Sequence, residues 1–170
     1  VITDEGKKFG GQMEFDATLM PLLTRGVIVA YVHLGKVSGA INSWFYDANE
    51  KGRLIFVDRL KDAVEYLKKN DYCHPDKVFT TATGVAAGFI ASVINEHPDL
   101  FEGAMLDSAE LDYIEMISRS NDQSNISQPH LENLLNNSPV QNVKTQAYPN
   151  MAFFTRVNDS NYWQSAKMVA

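Results

Sequence analysis

The residues whose types and spacing point most clearly to catalysis form a strand–turn–helix pattern at residues 77–93. A β-prone run meets a turn of small residues, Ala82-Thr83-Gly84-Val85-Ala86, and the turn leads into an apolar helical stretch. In the motif that presents a catalytic serine, G-x-S-x-G, the middle residue of this turn attacks the acyl carbon. Gly84 holds that middle position and has no side chain. The pattern therefore predicts a turn of the shape that presents a catalytic serine, but with no nucleophilic side chain at its middle position.

Other side chains near the turn are poorly placed for covalent catalysis. Thr83 precedes the apex, so its side chain should point away from the site, and Ser92 lies two turns into the helix. Either residue would also need a base within hydrogen-bond reach. A hydrolase that uses one of them is kept as an alternative. Gly84 and Gly88 lack the Walker and G-x-G-x-x-G patterns, so no nucleotide site is expected.

The possible bases and metal ligands are scattered along the chain. The candidates are one cysteine and four histidines: His33, Cys73, His74, His97 and His130. Adjacency in the sequence does not by itself make a cysteine–histidine dyad. The spacing matches no known zinc pattern. We therefore predict neither a metal site nor a bound cofactor.

Composition and hydropathy argue against several classes of protein. The 170 residues carry a formal net charge of −6 without a basic stripe, so direct nucleic-acid binding is not expected. No apolar run approaches the roughly 20 residues that span a bilayer, and no signal-peptide pattern is present. A single cysteine excludes an internal disulfide and favours an intracellular, reducing compartment.

The alternation of strand and helix patterns indicates an α/β domain with a mostly parallel sheet. Residues 26–34 are typical of a strand buried on both faces. We predict further strands at residues 78–81, 103–106 and 151–155, helices at residues 58–70, 85–97, 112–118, 131–136 and 162–170, and a polar loop at residues 118–128. Sites in such sheets form at the carboxyl ends of strands, where Gly84, Asp107 and Asp159 are expected.

Four blocks of sequence resemble the catalytic domain of the prolyl oligopeptidase family, and most closely its oligopeptidase B members. They are RGVIVAYVH at residues 25–33, residues 62–77, VINEHPDLF at residues 93–101, and a group that ends in YWQSAKMV at residues 162–169. The blocks keep the family's order and spacing over nearly the whole chain. The resemblance implies one truncated domain, residues 1–170, with a partial α/β-hydrolase fold: a mostly parallel sheet flanked by helices, without the family's β-propeller.

The resemblance also implies where the family's catalytic groups would stand. The elbow serine maps onto Gly84, and the oxyanion tyrosine maps onto Gly6. The catalytic acid is kept at Asp159, where it is expected to serve the loop's hydrogen bonds, but the arginine that follows it in the family is missing. The family's histidine is expected some tens of residues after Lys167, past the last residue of this chain.

These departures predict a catalytically inactive oligopeptidase B-like serine peptidase homologue, retained as a structural or binding subunit of a larger assembly of proteins. The alternative is that these residues are part of a longer prolyl oligopeptidase-family homologue that acts as a hydrolase. The chain starts at Val1 rather than at methionine, which agrees with either a processed protein or a fragment. Without the propeller and the family's last helix, we expect exposed apolar surface near residues 151–170, where another polypeptide would bind.

Overall fold

The computed structural model describes residues 2–3, 16–32, 50–119, 127–159 and 162–169. Within these residues five strands form one sheet in the order β2-β1-β3-β4-β5, and every pair is parallel. The strands are β1 (Ile2–Thr3), β2 (Tyr31–Val32), β3 (Phe79–Thr83), β4 (Gly103–Asp107) and β5 (Asn150–Phe154). The predicted α/β class and parallel sheet are confirmed.

Helices connect and cover these strands. They are α1 (Met20–Leu23), α2 (Glu50–Lys69), α3 (Gly84–Glu96), α4 (Tyr113–Arg119), α5 (Gln128–Asn137) and α6 (Tyr162–Val169), with short 3₁₀ turns at Ala17–Leu19 and Val140–Asn142. The helix predicted at residues 58–70 begins eight residues earlier, at Glu50. The helical pattern extends toward the amino terminus because Phe56 and Val57 also pack against the core. None of the described helices is both long and apolar enough to cross a membrane.

Helix α3 is the centre of the core. Ten of its 13 residues are buried, as expected for a helix that is apolar on all sides. It packs with Leu60 and Val64 of α2 against the covered face of the sheet, where Ala82 and Leu106 point inward. Because α3 starts directly after β3, this packing fixes the position of the turn at Gly84 in the middle of the sheet.

The prediction of a strand buried on both faces over residues 26–34 is wrong: residues 26–30 form no strand, and Tyr31 and Val32 of β2 are only half-buried. Gly26 adopts a left-handed conformation, with φ of 78°, and closes helix α1 by donating its N–H to Leu23 O. Val27 and Ile28 follow it as exposed residues. Strand pairing begins only at Tyr31, where β1 lies alongside. A β-branched run therefore cannot form a strand until a neighbouring strand is available. Residues 33–34 lie outside the described part of the chain.

Candidate functional site at the carboxyl edge of the sheet

The turn between β3 and α3 has the backbone shape of a nucleophile elbow. Thr83 ends the strand in an extended conformation, Gly84 follows with φ of 61°, and the helix starts at once. Left-handed φ is costly for most side chains but available to glycine. Gly84 O accepts a hydrogen bond of 3.1 Å from Glu110 N, which ties the turn to the loop after β4.

A second glycine holds the same loop close to the helix. A Cβ atom added to Gly88 would lie 2.0 Å from Glu110 O and 3.3 Å from Cε1 of Tyr113. Real Cβ atoms essentially never come within 3.0 Å of another heavy atom outside their own local chain. Gly88, the fifth residue of α3, thus allows the helix to pack against the backbone of the loop after β4.

Asp107 and Asp159 lie at the same edge of the sheet, as predicted, and Ser108 joins them. The Ser108 hydroxyl is 3.1 Å from Asp159 Oδ2 and 3.2 Å from Asp107 Oδ1. Ser108 N also donates to Phe154 O at 2.7 Å. Asp159 Oδ2 accepts from Arg156 N at 3.2 Å, so this carboxylate closes the turn after β5 and attaches it to the end of β4.

Ser108 is not among the residues predicted from the sequence. It adopts φ of 47°, which is unusual for a residue other than glycine, asparagine or aspartate. No local signal announces this conformation, because a serine after a strand is ordinary in loops. The conformation is held by contacts to residues some 50 positions later in the chain. A contact over that distance cannot be read from local spacing.

The two other candidate nucleophiles, Ser92 and Thr83, differ in their surroundings. Ser92 is 3% exposed, and its hydroxyl donates to Phe89 O at 3.0 Å inside helix α3. Thr83 is exposed and makes no side-chain cap to the helix that it precedes. Gly6 and His33 lie outside the described residues, as do the aromatic residues 44–46.

Two of the described histidines are far from the turn. His97 caps the carboxyl end of α3, and 13 helical residues separate it from Gly84 by roughly 20 Å. His74 precedes β3, whose five residues place it about 17 Å from the carboxyl edge. His130 lies in α5. Among the described residues no group of three or more His, Cys, Asp or Glu side chains could hold a metal ion.

A buried polar network supports the loop between β4 and α4. Gln164 is fully buried, and its Oε1 accepts from Leu111 N at 2.7 Å and from Asp112 N at 3.1 Å. Its Nε2 donates to Glu115 Oε2 at 2.9 Å. Ser138 Oγ accepts from Tyr113 N at 2.9 Å. These bonds of Gln164 join helix α6 to the start of α4.

The model of the prolyl oligopeptidase family matches residues 13–170 of this chain. The chain belongs to the prolyl oligopeptidase family. Among curated proteins, it is 26% identical to dipeptidyl aminopeptidase BI of Pseudoxanthomonas mexicana, over 95% of this chain and 24% of that protein. It is 22% identical to a prolyl endopeptidase-like protein of Gallus gallus, over 86% of this chain and 22% of that protein.

Solved structures agree on the fold of this prolyl oligopeptidase-family chain. Prolyl oligopeptidase B from Galerina marginata superposes with a TM-score of 0.76 at 20% identity, covering 99% of this chain and 26% of that one. Oligopeptidase B from Leishmania major superposes with a TM-score of 0.70 at 21% identity, covering 99% and 25%. The chain thus spans about a quarter of the length of the relatives it matches, and within that span it has their α/β-hydrolase architecture.

Proposed function

We propose that this chain is a catalytically inactive, oligopeptidase B-like member of its family that serves as a structural or binding subunit of a larger protein assembly. The observation that carries the proposal is Gly84 at the apex of the turn, with the φ of an elbow and no nucleophilic atom. The mapping of the family's serine onto Gly84 and of its oxyanion tyrosine onto Gly6 is part of the proposal. Loss of one oxyanion donor alone costs about 2.7–4 kcal/mol of barrier.

The surroundings of Asp159 support the same proposal. Its Oδ2 atom accepts from Ser108 Oγ and from Arg156 N, and both bonds are local to the edge of the sheet. A catalytic acid orients a histidine ring, whereas these bonds serve the fold of the loop. We infer that Asp159 stands at the family's acid position and has a structural role. The proposal includes an intracellular, reducing compartment, in agreement with the single free cysteine, Cys73.

The inactive state predicts no reaction with serine-hydrolase probes. A fluorophosphonate probe should not label the 170-residue chain or the protein isolated from its source. A fluorogenic peptide with arginine before the cleaved bond should be hydrolysed only at the background rate. Heat-denatured protein defines that background. Stoichiometric labelling of any residue, Thr83 or Ser92 included, would refute the proposal.

A variant that restores a nucleophile extends the same experiment. Gly84→Ser places a hydroxyl at the apex, but His74 and His97 are at the opposite end of β3 and α3. A triad that lacks its base or its nucleophile loses about 10⁶ in kcat. The 170-residue variant should therefore remain at background. Labelling of Ser at position 84 would mean that a base lies within reach, and that only one group has been lost.

The subunit role predicts the size of the native particle. In extracts of its source, the protein should elute in a complex far larger than the 19.0 kDa of this chain. Light scattering on the particle, with mass spectrometry of its components, measures both sizes. A monomeric, cooperatively unfolding chain without partners would contradict the subunit role.

A second candidate function has an observation of its own. The chain spans about a quarter of its relatives' length, which favours a longer prolyl oligopeptidase-family hydrolase of which these residues are one part. The native polypeptide mass separates the two candidates. A polypeptide close to 19.0 kDa supports the reduced subunit, and one about four times heavier supports the longer homologue.

A further inference from the structure

We draw no further inference here: the strongest candidate, the apolar groove that helix α1 lines together with strands β3 and β4, is an unpartnered surface, and nothing in the structure shows what covers it.

Discussion

Replacing Gly88 by alanine should lower the free energy of unfolding by about 3 kcal/mol or more, the upper range for overpacking a core. The new Cβ atom would lie 2.0 Å from Glu110 O and 3.0 Å from the carbonyl carbon of Glu110. These are backbone atoms, so no side-chain rotation can relieve the clash. Glu110 is also held by its own hydrogen bond to Gly84 O. Helix α3 and the loop after β4 must separate, which exposes part of the core.

Gly26→Ala is the matched control. Gly26 also resists substitution, but for another reason: its φ is 78°, while no atom lies within 4 Å of the added Cβ. Left-handed backbone costs an alanine roughly 1–2 kcal/mol. Urea denaturation of both variants measures the difference. A Gly88→Ala variant that unfolds at the same urea concentration as Gly26→Ala would show that α3 and the loop are not in backbone contact.

Local pattern was sufficient to predict most of the architecture. The strand before Gly84, the apolar helix after it and the neighbouring strand at Gly103–Asp107 can each be recognised from the residue types of one segment. The order of these segments then limits the topology, because strands alternating with helices favour a parallel sheet. Only the resemblance to the family relates the turn at Gly84 to a nucleophile elbow. The match over residues 13–170 confirms the family.

The wrongly predicted strand and the two polar residues that were not predicted share one physical cause. Residues 26–30 have strand-forming side chains, yet they lie beyond the reach of β1, and Gly26 closes helix α1 instead. Ser108 and Gln164 were not recognised as important, because their partners lie about 50 residues away in the sequence. Side chains of this kind respond to long-range contacts, and a single sequence contains no local trace of them. The polar network around Gln164 therefore could not be predicted from the sequence and is seen only in the structure.

Gln164 is the residue of this network with the largest expected effect on stability. It is fully buried, and one oxygen atom accepts from two buried backbone N–H groups, those of Leu111 and Asp112. Its amide nitrogen donates to Glu115. All three bonds join α6 to the segment that begins α4. The network is thus the connection between the last described helix and the loop that packs against Gly88.

Gln164→Leu should lower the free energy of unfolding by about 3 kcal/mol, because leucine fills a similar volume but leaves two buried N–H groups without an acceptor, each costing about 1–3 kcal/mol. Gln128→Leu is the control: Gln128 is exposed, and among the described residues its side chain bonds only to Glu132, so a change within about 0.5 kcal/mol is expected. Urea denaturation gives both values, and hydrogen exchange should become faster at Leu111 and Asp112 in the first variant alone. Equal stability of the two variants would mean that α6 is not anchored through Gln164. The protection of α4 against hydrogen exchange would then have to come from Ser138, whose Oγ accepts from Tyr113 N.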